Sequence, residues 1–223
     1  MIKKIMYVLF GIIYSTLVKC QPDNQKFIKS FPINDKCEII STRGMVVNAS
    51  IKMSKEDAAK YVYNGDTTKL YCPELEFLGG YEKSNIVGKY NAEYIPNKCF
   101  RVDYDKFILL AYSFYECNPD GFNHIVYGRF DIFDKNYVKT DSLCVFKEMY
   151  DDDICGFFNP QNHKIYLYDM SNLNSKKSLM YNINENSLKF EEIQRYEGDL
   201  NATLKDQLKK LGWEELFYGD DCQ

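Results

Sequence analysis

The sequence predicts an all-β protein: eight antiparallel strands, a C-terminal helix and an N-terminal extension. Two observations predict this. From Ile86 to Tyr196, short runs rich in Tyr, Phe, Ile and Val alternate with turn clusters. The clusters are Asn118-Pro119-Asp120-Gly121, Asp134-Lys135-Asn136, Asp151 to Asp153, Asn159-Pro160-Gln161-Asn162, Ser171 to Lys177 and Asn184-Glu185-Asn186-Ser187. Such spacing is the form of an antiparallel sandwich or barrel, because βαβ units need a helix of a dozen residues between strands. Composition agrees: 223 residues, 45% hydrophobic and 27% charged, describe a globular chain long enough to bury a core.

In chain order, residues 1–20 read as a signal peptide. Lys3 and Lys4 form a positive start, Ile5 to Val18 an apolar centre, and Val18 and Cys20 stand at the −3 and −1 places before Gln21. A membrane anchor is the alternative, but this apolar run falls short of the roughly 20 residues a span needs. Losing Lys3, Lys4 and Lys19 with the leader takes the formal charge from −4 to −7. An acidic chain without a Lys/Arg stripe makes a nucleic-acid partner improbable. The 24 Lys against 4 Arg, with 18 Asn and 18 Ile, reflect an A/T-rich genome more than a function.

The extension, residues 21–70, holds one strand-like run, Cys37 to Met53, and one helix-like run, Ser54 to Tyr63. Ser54 is the expected N-cap of that helix, with Glu56 and Asp57 in its first turn. The expected strands are 87–95, 99–105, 107–116, 123–133, 137–148, 163–169, 177–183 and 187–195, and Ile154 to Phe158 is a further candidate that could displace one. Both faces of 107–115 are apolar, so alternation does not separate inside from outside there. Leu200, Leu204, Leu208 and Leu211 then share one face of a helix capped by Asp199 and stopped at Gly212.

Chemistry-bearing motifs are absent. G-x-S-x-G, H-E-x-x-H, G-x-G-x-x-G and a Walker loop do not occur, and neither His124 nor His163 stands in a spacing that pairs it with a nucleophile. Asp151 to Asp153 lacks the staggered ligands and turn glycine of a calcium loop. Glu191 and Glu192 are neighbours on a strand, so they point to opposite faces. The expectation is a protein that is not an enzyme and needs no cofactor or metal. Cleavage of the leader leaves seven cysteines with long spacings and no C-x-x-C, which suggests disulfides in an oxidising compartment rather than zinc or redox chemistry. Asn48-Ala49-Ser50 and Asn201-Ala202-Thr203 are N-glycosylation sequons.

One constellation resembles a family. Tyr71-Cys72-Pro73-Glu74 is followed by Ile86-Val87-Gly88-Lys89-Tyr90-Asn91-Ala92-Glu93-Tyr94 and then by Pro96-Asn97-Lys98-Cys99-Phe100-Arg101-Val102-Asp103-Tyr104. This resembles the opening of the invertebrate lipocalins and the apolipoprotein D group, with Tyr90 standing where the family has Trp after Gly88. Arg195 closes the last expected strand, where lipocalins place an Arg over that ring. The resemblance spans Tyr71 to Cys222 and implies a lipocalin-like barrel domain over 71–223.

The resemblance further implies that Cys99 pairs with Cys222, that Cys72 pairs with Cys155 or Cys144, and that Tyr90 and Arg195 close the barrel floor. It implies a small apolar ligand, such as a lipid, fatty acid or tetrapyrrole, held in a cavity. Tyr112, Phe114, Tyr127, Phe130, Tyr166, Tyr168 and Tyr181 lie on the expected strands and are the candidate lining. The protein would then be secreted, or lumenal in a parasitophorous or digestive vacuole as in the vacuolar lipocalins of apicomplexan parasites, which are linked to haemozoin formation. No stable membrane insertion is expected after cleavage, and a homo-oligomer stays open. The alternative is a secreted β-sandwich that binds a host or partner protein through its surface.

Overall fold

The computed structural model describes residues 23–34, 38–73, 91–117, 124–148, 154–169 and 177–197. The expected leader, Cys37, the segment from Gly88 to Tyr90, and the expected helix at Leu200 to Leu211 with Asn201 and Cys222 lie outside the described residues.

Helix α1 covers residues 23–29. After it come β1 (Ile40–Ser41), α2 (Thr42–Val47) and β2 (Ile51–Lys52). The Cys37 to Met53 run is therefore not one strand. Ser41 caps α2, its hydroxyl accepting from the Gly44 N–H at 3.1 Å, and that local bond diverts the β-branched run into a helical turn and a half. Ser54 caps α3 (Lys55–Asp57) as its sequence promises, its hydroxyl accepting from the Asp57 N–H at 3.0 Å. The helix then widens into a π-helical turn at Ala58–Val62, and a 3-10 turn follows at Thr67–Leu70.

β3 (Tyr71–Pro73) pairs with β4 (Asn91–Glu93) in a small sheet of their own. This corrects the expectation that 87–95 opens the main sheet. The main meander is β5 (Asn97–Asp103), β6 (Phe107–Cys117), β7 (His124–Asp134), β8 (Lys139–Glu148), β9 (Ile154–Asn159), β10 (Lys164–Asp169), β11 (Lys177–Asn184) and β12 (Lys189–Glu197). Ile154 to Phe158 is thus a strand in its own right and displaces none. With β1 and β2 added, the sheet has ten strands in antiparallel register.

Among the described residues the sheet is not closed into a barrel: its ladder runs from β12 at one end to β2 at the other. β8 and β9 are joined only at Lys147 and Ile154, and beyond that point they part. The sheet bends there, so that β9 to β12 lie over β5 to β8. Phe130 of β7 meets Phe158 of β9 edge to face at 5.2 Å although the two strands are not neighbours in the ladder. β12 returns to the start of β8 through two side-chain bonds: the Thr140 hydroxyl donates to the Leu188 carbonyl and the Phe190 N–H to an Asp141 carboxylate oxygen, both at 2.9 Å. β1 and α2 fill the gap between β8 and β9. β1 pairs with β9 at Ile40–Phe158 and Ser41–Phe157, and Met45 of α2 enters the interior.

Two hydrophobic cores result. The interior core lies between the halves of the folded sheet and includes Phe107, Leu109, Phe130, Ile132, Val145, Phe158, Ile165 and Ile183. The second lies on the opposite face of β6 and β7. There Ile108, Leu110, Tyr112, Phe114 and Phe133 pack against Phe27, Ile28 and Phe31 of the first helical segment and against Ala58, Ala59, Val62 and Tyr63. This is why both faces of β6 are apolar: the extension covers the face that would otherwise meet water. The same segment protects the edge of β5, with Ile33 bridging Arg101 and β2 pairing with Lys98 and Asn97.

The hairpin turns use the polar residues that mark them. Asp134 accepts from the N–H groups of Asn136 and Val138, Asn159 from Gln161, and Asn184 from Asn186. Three of these turns end on a non-glycine residue at positive φ: Tyr137 at 63°, His163 at 58° and Leu188 at 53°. Each side chain is anchored. Tyr137 accepts from Gln25 Nε2 at 2.9 Å, His163 stands edge-on to Tyr104 at 4.4 Å, and Leu188 packs on the interior core.

Candidate functional site

Along β7 the side chains alternate. Phe130 and Ile132 enter the interior, while Tyr127, Arg129, Asp131 and Phe133 face outward. Asp131 is 2% exposed and is the one buried carboxylate among the described residues. Tyr112, from β6, donates its hydroxyl to Asp131 Oδ2 at 2.8 Å, and Lys139, from β8, donates to the same oxygen at 3.0 Å. Arg129 Nε lies 3.1 Å from Oδ1. No hydrogen bond reaches Oδ1, nor the Ser142 hydroxyl on the residue directly opposite, although both are buried.

Burial, and then the neighbouring carboxylate, push the Tyr112 hydroxyl far above its usual range, so it stays a donor. A negative charge is thus held between two partly exposed cations and a phenol. The chemistry available is that of a sealed ionic clamp joining three strands. Removing Asp131 would leave the buried Tyr112 hydroxyl without its acceptor, whereas Arg129 and Lys139 are exposed enough to turn to water.

A second cluster gathers at the hairpin end. His163 Nδ1 lies 3.3 Å from Glu185, whose other oxygen pairs with Lys106 at 3.3 Å. Burial lowers the imidazole below its ordinary value, against an upward pull from Glu185. The rings of Tyr104 and Phe107 stand edge-on to His163. The side chain of His124 lies outside the described part.

The seven candidate lining residues do not share one space. Phe130 is in the interior, with Tyr181 packed on that core from β11. Tyr112, Phe114 and Tyr127 lie on the opposite face of the sheet, Phe114 and Tyr127 stacked at 5.0 Å beneath the extension. Tyr166 and Tyr168 project from the outer face of β10, opposite Phe157 and Cys155. The period of two along each strand makes residues of one parity neighbours, but the bend in the sheet decides which parity meets a core.

Arg195 is bound to Glu192 in a two-pronged pair, Nε to Oε1 at 2.7 Å and Nη2 to Oε2 at 2.8 Å. Tyr90, its expected partner, lies outside the described residues. So do Cys222 and the side chain of Cys72, and with them both expected disulfides. Among the described residues no disulfide joins two cysteines. Cys99 is packed in the interior core, and burial pushes its thiol up to about 12. Asn48 is exposed at the end of α2.

Sequence reasoning passed over Asp131, Arg129 and Lys139. The signal was there: Arg129 and Asp131 are charges two apart within an otherwise uncharged run from Ile125 to Phe133, hence on one face. Among the described residues no three His, Cys, Asp or Glu side chains converge as a metal site would require, and no helix is long and apolar enough to cross a membrane. Comparison with protein-family models, with curated proteins and with solved structures finds no match to this chain.

Proposed function

We propose that this chain is a secreted, non-enzymatic binding protein that engages a partner protein through its surface. One observation carries the reading. The space between the two halves of the sheet is occupied by the chain's own side chains, with Phe107, Leu109, Phe130, Ile132, Val145, Phe158 and Ile165 each at 0% exposure. A preformed site for an apolar ligand presents unfilled apolar wall, whereas these groups spend their contact area on one another. The charge of −7 left after loss of the leader favours a partner with a basic face, since opposite fields speed encounter.

A second reading is a lipocalin-like carrier of a fatty acid, retinoid or tetrapyrrole. It is favoured by the return of β12 onto β8, which rolls the second half of the sheet toward a barrel. Titration of the folded protein with fatty-acid, retinoid and haem probes separates the two. The surface reading expects no saturable one-to-one binding by the wild type. Such binding, lost when a bulkier residue replaces Leu109, would overturn it in favour of the carrier.

A further inference from the structure

We propose that Asn48 carries an N-linked oligosaccharide that covers the apolar side chains on either side of it. The inference rests on the export reading and adds a modification site and a role for it. Asn48 ends α2, and only its backbone is engaged there: its N–H donates to the Gly44 carbonyl at 3.0 Å. The side chain is exposed, and so is Ser50, the hydroxyl residue two places on. Asn48 Nδ2, the atom that would carry the sugar, lies over Gly44, 3.9 Å from where a Cβ would stand.

A second observation points the same way. Val47 is 70% exposed and Ile51 46%, and they flank the sequon on the turn from α2 to β2. Both side chains keep apolar surface in contact with water in the unmodified chain. A glycan rooted between them would shield both. The step requires a lipid-pyrophosphate-linked oligosaccharide as donor. A bond forms between Asn48 Nδ2 and the anomeric carbon of its first N-acetylglucosamine, the bond from that carbon to phosphate oxygen breaks, the lipid pyrophosphate leaves with the bonding pair, and the amide proton passes to a base of the transferase.

The test is expression of the full chain with its own leader in a eukaryotic secretory host, read by the mobility step removed by peptide-N-glycosidase. The expected result is a step that Asn48→Gln and Ser50→Ala abolish, that Ser50→Thr preserves, and that persists in Asn201→Gln. A secreted chain with no step assigned to Asn48 overturns the modification while leaving export intact. A chain that keeps its leader and stays in the cytosol overturns the export reading and the modification together. Enzymatic removal of the glycan from folded protein should raise binding of a dye for apolar surface; unchanged binding would overturn the shielding role.

Discussion

Thr42 and Gly156 grip one another: the Thr42 hydroxyl accepts from the Gly156 N–H at 2.8 Å and donates to the Gly156 carbonyl at 3.1 Å. Thr42 is fully buried at the start of α2, so this exchange fastens the extension into the edge of β9. Gly156 is required there for space as well, because a Cβ on it would lie 1.8 Å from the Tyr166 carbonyl oxygen. Thr42→Val keeps the volume and removes both bonds, and is expected to destabilise by about 2–3 kcal/mol, read as a lower urea midpoint at constant slope. Gly156→Ala is expected to cost more, since backbone rather than a flexible side chain must move.

The extension is expected to weigh as much in stability as the sheet interior. Phe27 stacks on Tyr61 at 3.9 Å and meets Phe31 edge-on at 5.2 Å, and it is as buried as the interior rings. Phe27→Ala should therefore cost about 3–5 kcal/mol, the same range as Phe130→Ala in the other core. Paired denaturation curves check this. A near-neutral Phe27→Ala would mean that the extension is an appendage.

Phe130→Ala carries a further expectation. Phe130 packs edge-to-face on Phe100 and Phe158, and deleting it leaves an apolar void that stays dry and accepts a small aromatic probe. Benzene or indole should raise the melting temperature of Phe130→Ala and leave that of the wild type unchanged. Stabilisation of the wild type by the same probes would show an interior that is already open.

The Asp131 clamp predicts unequal single substitutions. Tyr112→Phe removes one charge-assisted bond and should cost about 1.5–3 kcal/mol. Asp131→Ala leaves the buried Tyr112 hydroxyl without its acceptor and removes the anion from Arg129 and Lys139, which are partly exposed, and should cost more than Tyr112→Phe, about 2–4 kcal/mol. A double-mutant cycle between Tyr112→Phe and Asp131→Asn should give a coupling well above the few tenths expected of independent sites.

His163 predicts a pH dependence with a definite sign. Its folded pKa lies below the usual 6.5 because burial disfavours the cation, so the unfolded chain binds the proton more readily. Its contribution to stability is fully present above 6.5 and is lost as pH falls from that value toward the folded pKa. The urea midpoint should drop through this window in the wild type and drop less in His163→Gln. Glu185→Gln removes the carboxylate that pulls the pKa back up, so the folded pKa falls further and the loss should extend to lower pH.

Local chemistry in the sequence was enough to place most of the strands from β5 to β12, with Ile154 to Phe158 only as a candidate, and the described turns between them. Asp134, Asn159 and Asn184 cap turns with their own side chains, and Ser54 caps a helix, because each bond spans only a few residues. The all-β antiparallel class follows from those turns and from the period of two between them. Tertiary structure alone decided the rest. The doubly apolar β6 could be assigned no inner face until residues 23–70 were seen to bury the second one. Among the described residues the ladder parts between β8 and β9, where a short helix is wedged into the gap and Ser41 overrode a run that reads as strand. The Asp131 clamp likewise joins side chains from three strands brought into register by long-range pairing. Contacts of that kind depend on where a sheet turns, and the alternation of a strand states only which residues share a side, not what that side will meet.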